Sequence, residues 1–282
     1  FRSGQDVLES GQDAPGQTQT GWLNRALEAL PRGEPVRVKG ASGLGVGPIM
    51  PLILRGGANV TGWAPTQMPS AREDLATRVL DLYAQADPAL GAALRQGLEV
   101  EKLASRQTEG QRPPGPAGDA AYMKRIAEGA ARLIAADNGP RIAALAFDGC
   151  DTHANEGVAT GRLAGLLGGL DEAIGAFEQG LGAAWKDTVI VAITEFGRTV
   201  RINGTTGTDH GTGTVAFLAG GAVNGGRVIA DWPGLRDSQL WQNRDLRPTA
   251  DLRAVLKGVL ADHLGLSRPA LDRKSTRLNS SH

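Results

Sequence analysis

Apolar residues step by threes and fours along several stretches of the chain and gather in short unbroken runs between them, the pattern of alternating helices and strands. Trp22, Leu23, Ala26, Leu27 and Leu30 have helical spacing, and Pro31 and Gly33 stop that helix. The preceding stretch, 2–19, is polar and predicts no strand. Residues 36–38 and 49–54 read as short strands. Between them lie Gly40, Gly43, Gly45 and Gly47, which match neither G-x-G-x-x-G nor the phosphate-loop pattern and read as a plain turn. Two amphipathic helices are expected over 70–104, broken near Asp87-Pro88, then a proline-rich loop over 111–118 and a third helix over 119–137.

Asn138-Gly139-Pro140 closes that helix and opens an apolar run at 141–147, which fits a buried strand. Leu163, Leu166, Leu167, Leu170, Ile174, Phe177, Leu181 and Trp185 then form the stripe of a long helix over 155–185. Residues 187–194 read as a second buried strand. Strand, helix and strand make a βαβ unit, whose right-handed crossover predicts parallel strands in one sheet. A loop over 196–213 leads without a crossover helix into a strand at 214–219, which is therefore expected to run antiparallel to its predecessor. Gly220, Gly221 and Asn224-Gly225-Gly226 predict a hairpin into 227–229, and Leu252, Val255, Leu256, Val259 and Leu260 a last helix over 249–264, with Thr249 as N-cap and Gly265 as stop.

With 282 residues, 41% of them hydrophobic, the chain can bury the core of a large α/β domain. Thirty basic residues balance thirty acidic ones, so no positive field attracts nucleic acid. Cys150 is the single cysteine and can form no intramolecular disulfide. No run reaches the roughly 20 apolar residues of a membrane span. The chain opens on Phe1 without a leader, and its N-terminal part is expected to lie upstream.

Open α/β sheets hold ligands outside the carboxyl ends of their strands. Three segments bring ionisable groups there: Asp148 to His153 with Asp151 between them, Glu195, and Asp209-His210. Two imidazoles with several carboxylates offer the mixed nitrogen and oxygen ligands that Zn²⁺, Mn²⁺ and Fe²⁺ accept, whereas Mg²⁺ and Ca²⁺ prefer oxygen alone. The alternative for an Asp-x-His or Asp-His pair is a turn or a helix cap. Arg198 and Arg201, just after Glu195, are either oxyanion clamps or solvated loop charges. His263 suits the last turn of a helix, and Cys150 reads as a packing thiol.

The segments Phe147-Asp148-Gly149-Cys150-Asp151-Thr152-His153-Ala154-Asn155, Thr194-Glu195-Phe196-Gly197-Arg198-Thr199 and Asp209-His210-Gly211 resemble domain-of-unknown-function family 1501, a group of exported bacterial proteins similar to a distant branch of the alkaline phosphatase and sulfatase superfamily. The resemblance runs from about residue 1 to 273. It implies one alkaline-phosphatase-like α/β domain, a mostly parallel sheet flanked by helices, truncated at its N-terminus, with a periplasmic or secreted location and a twin-arginine leader. By this resemblance Asp151, His153 and His210 are ligands of one metal, Glu195 stands where relatives place an Asp that serves a second metal, and Asp209 is counted among the metal-binding residues. Phe196 stands where relatives carry a ligand histidine, and a first strand with a metal-binding Asp and a hydroxyl nucleophile is expected upstream. Residues 274–282 resemble translated sequencing-adapter read-through and are set apart as a non-native tail.

The expected function is a hydrolase or transferase of small-molecule or polymer-borne phosphate or sulfate esters. It would use one or two divalent ions (Zn²⁺, Mn²⁺, Mg²⁺ or Ca²⁺), with Arg198 as the catalytic group orienting a substrate oxyanion. The alternatives are a non-catalytic secreted binding protein with a degenerate metal site and a glycosidase that pairs Asp151 with Glu195.

Overall fold

The computed structural model describes residues 2–30, 43–65, 73–105, 119–137 and 139–272. The expected strand at 36–38, Gly40 of the glycine run, the loop at 111–118 and the tail at 274–282 lie outside them. The chain is α/β, and the described residues hold three small sheets rather than one mostly parallel sheet.

β1 (Gly43–Val46) is the centre of a parallel three-stranded sheet, between β2 (Val60–Trp63) and β3 (Ile142–Leu145). This corrects the turn expected from the glycines at 43–47. Glycine and aliphatic residues alternate there with period two, so Leu44 and Val46 bury themselves against one face of the sheet. On the other face a side chain at 43 would crowd Leu27 at 2.9 Å, and one at 45 would crowd Met50 at 2.6 Å. The strand expected at 49–54 is a 3₁₀ turn, Leu52–Leu54, opened by Pro51, and its place in the sheet is taken by β2.

The main core lies on the Leu44 side. α5 (Ala120–Ala135) and α6 (Arg162–Leu181) pack there through Met123, Ile126, Ala127, Ala130, Leu166, Ala173 and Phe177. Burying a side chain such as Met123 or Ile126 stabilises the fold by roughly 1.5–3 kcal/mol. On the opposite side α2 (Trp22–Glu28) sets Leu27 against Leu54 and Ile142. Two amphipathic helices, α3 (Glu73–Ala86) and α4 (Pro88–Ser105), break at Asp87 as the pattern predicts.

The polar N-terminal stretch contains a helix, α1 (Arg2–Ser10), that apolar spacing did not signal. Polar contacts attach it. The Trp22 indole donates to the Leu8 carbonyl at 2.9 Å, Arg25 donates to the Ser10 carbonyl at 2.7 Å, and the Ile53 amide donates to Glu9 at 3.0 Å.

The predicted βαβ unit is also corrected. β4 (Ile190–Ala192) does not join β3 but pairs with β7 (Phe217–Ala219), antiparallel as expected, with Val191 opposite Leu218. α6 begins at Arg162 rather than at 155, because residues 151–156 are drawn into the site described below. Positive backbone φ at Asn155 and Gly157 keeps them out of the helix. Residues 227–229 form no strand, and Val228 and Ile229 are exposed. α7 (Leu252–Leu264) is capped by Asp251, which accepts from the Arg253 amide at 2.9 Å, rather than by Thr249, and Gly265 ends it in the left-handed conformation. No described helix is long and apolar enough to cross a membrane.

Candidate metal centre

Two stretches build the site. The first leaves the carboxyl end of β3 and carries Asp151 and His153. The second is an antiparallel ladder of β5 (Gly197–Arg198) and β6 (His210–Gly211) with the loop between them. Arg198 stands directly opposite His210, so their side chains share a face, as cross-strand partners do. The ladder lies against the first stretch through backbone bonds from Asn155 to Thr205, Glu156 to Thr206 and Thr208 to Thr152, each of 3.0–3.2 Å. Gly207 permits this approach, because a Cβ there would overlap the His153 carbonyl.

Asp151, His153 and His210 converge, their ligand atoms all within 4.8 Å of one another. His153 Nε2 is 3.1 Å from Asp151 Oδ1 and 3.1 Å from His210 Nε2, and His210 Nε2 is 3.2 Å from Asp151 Oδ2. Zn²⁺ held at about 2.0–2.2 Å by each of three tetrahedral ligands separates them by about 3.3–3.6 Å, so the observed spacing needs little widening. The three side chains are 39%, 47% and 41% exposed, which leaves a coordination position open to solvent.

Arg198 donates to Asp151 and to the Thr208 carbonyl, and its Nε donates to the Thr208 hydroxyl at 3.0 Å. All three guanidinium nitrogens thus face protein acceptors. Partial burial pushes the Asp151 carboxyl up, but the His210 hydrogen bond and the charges of Arg198, His153 and His210 outweigh it and hold Asp151 below its ordinary value.

Asp209 lies behind His153, with Oδ1 3.4 Å from Nδ1, and takes a hydrogen bond from Asn203 at 2.9 Å. The Asn203 bond, then the one to His153, keeps its carboxyl low. Glu195 is not in the group of three: its Cβ and Cγ face Gly4 of α1. Its neighbour Phe196 stacks on His210, with ring centroids 4.0 Å apart and an interplanar angle of 31°. Arg201 pairs with Asp237 in solvent. Cys150 is half-buried against the main core, and burial raises its thiol pKa against the pull of Arg162. His263 occupies the last turn of α7.

A family model described as a protein of unknown function (DUF1501) matches residues 2–274. The chain belongs to this family. No curated protein and no solved structure matches it.

Sequence reasoning missed the polar frame that surrounds the group of three in this DUF1501 protein. Half-buried Glu156 accepts from the Thr152 hydroxyl at 3.0 Å and from the Thr208 hydroxyl at 2.6 Å, joining the two stretches. Asn203 and Thr205 both donate to the His153 carbonyl, at 2.9 and 2.7 Å. The only sequence signal for this frame is the density of Thr, Asn and Gly over residues 203–208.

Proposed function

We propose that this chain binds one divalent cation through Asp151, His153 and His210 and acts on phosphate or sulfate esters as a metal-dependent hydrolase or transferase. One observation carries the reading: three ligand atoms from two distant stretches face one another at 3.1–3.2 Å on an open surface. Three protein ligands with a free position are the arrangement of catalytic rather than structural zinc sites. The nitrogen-rich set favours Zn²⁺, Mn²⁺ or Fe²⁺ over Mg²⁺ or Ca²⁺. A bound cation supplies a positive centre that polarises an ester oxygen and offsets charge on the transferring group. The protein's own groups have separate tasks. His153 and His210 present nitrogen lone pairs, Asp151 supplies the anionic ligand, and Arg198 fixes Asp151 instead of reaching for substrate. The resemblance to alkaline phosphatases and sulfatases supplies the substrate class, and export belongs to the same proposal.

Metal content by mass spectrometry, measured for the wild type and for Asp151→Ala, His153→Ala and His210→Ala, tests the site. Each substitution is expected to lower the metal content, and unchanged content in all three would remove the reading. Turnover of aryl phosphate and aryl sulfate, lost with a chelator and restored by Zn²⁺ or Mn²⁺, tests the chemistry.

A second reading, a non-catalytic binding protein, is favoured by the way Glu195 faces α1 while Phe196 covers His210. Metal binding without turnover of either ester supports that reading over the first.

A further inference from the structure

Asp209 stands one imidazole away from the three converging ligands, and its surroundings give it a different task. Building on the metal reading above, we propose that Asp209, held by Asn203, is a positioning residue: it fixes His153 with a proton on Nδ1 and the Nε2 lone pair turned to the cation. Oδ1 of Asp209 faces Nδ1 at 3.4 Å, while Nε2 of the same ring faces Asp151 and His210 at 3.1 Å each. Both carboxylates only accept, and a neutral ring donates to one of them; with the cation held between Nε2, Asp151 and His210, the proton stays on Nδ1 facing Asp209 and Nε2 keeps its lone pair for the metal.

The loop holds Asp209 in place. Oδ1 of Asn203 accepts from the Thr205 and Gly207 amides at 3.0 and 3.1 Å, which fixes the amide's orientation. Its Nδ2 then donates both to Asp209 Oδ1 and to the His153 carbonyl, at 2.9 Å each. Ring and backbone of His153 are thereby located by one side chain. His210 is steadied differently, by the face of Phe196. A carboxylate behind a ligating imidazole makes it more basic and holds its ring orientation, and losing such a partner typically weakens metal binding by about 10- to 100-fold.

Co²⁺ titration of the full chain, read by visible absorption and by heat of binding, tests this without relying on turnover. The Asp209 side chain is 54% exposed, so Asp209→Ala is expected to fold. It should weaken Co²⁺ binding by about 10- to 100-fold. Asp209→Asn, whose amide oxygen still accepts, should keep more of the affinity, and Asp209→Ala should add nothing in a His153→Ala background. Equal Co²⁺ affinity in Asp209→Ala and the wild type overturns the positioning role and leaves the metal site standing. An added loss in the His153→Ala background also overturns it, because Asp209 would then be a ligand in its own right. A wild type that binds no Co²⁺ removes both readings.

Discussion

Glu156 touches none of the three converging ligands, yet two hydroxyls from opposite sides of the site end on its carboxylate. Thr152 and Thr208 are only 1% and 8% exposed, so water cannot replace that acceptor without rearrangement. Glu156→Ala is expected to cost about 1–3 kcal/mol in urea unfolding, the usual penalty for stranding buried polar groups. Glu156→Gln should cost much less, because its amide oxygen can still accept both bonds. The residues that meet here were legible as chemistry: Asp-x-His and Asp-His combine the two residue types that mixed-ligand cations need. The direction in which Glu195 faces was not. Glu195 and Phe196 lie in a bend between β4 and β5, where no periodic pattern sets a side chain's direction, and here it is Phe196 that faces His210. A frame of hydroxyls and amides leaves no periodic trace, so Glu156 and Asn203 emerge only once the two stretches are brought together.

Helical periodicity located α2, α5 and the body of α6, because each buries an apolar stripe. It failed for α1, whose attachments are a Trp indole, an Arg and a Glu, and for β1, whose glycines imitate a turn while their alternation is that of a strand. The crossover rule failed at β4 because its hydrogen-bonding partner is β7 rather than β3. At α7 the sequence reading took Thr249 as the cap, and the structure gives that place to Asp251, whose side chain accepts from the Arg253 amide at 2.9 Å. Asp251→Ala should destabilise the protein by about 1 kcal/mol, the usual worth of an N-cap. The Arg253 side chain, then its amide, lowers the Asp251 carboxyl pKa. A depressed carboxyl contributes stability above its unfolded-state value and loses it as pH falls through the folded one. The difference between wild type and Asp251→Ala in unfolding midpoint should therefore shrink as the solution is acidified through the carboxylate range.

At the scale of the fold, the three small sheets of the described residues share no continuous ladder, and the candidate centre lies where the stretch leaving the first sheet meets the short β5–β6 ladder. Zn²⁺ that binds the folded chain alone should raise the thermal midpoint of the wild type in a concentration-dependent way and leave His210→Ala unmoved, as calorimetry would show. The shortness of that ladder has one more consequence. Two rungs place Arg198 and His210 on a common face, and a slip of one residue in β6 would turn His210 away from Arg198 and Asp151. A captured cation would act as a key that admits a single alignment. Imidazole NMR signals of His210 should accordingly be broadened by exchange in the chelated chain and sharpen to one set when Zn²⁺ is restored.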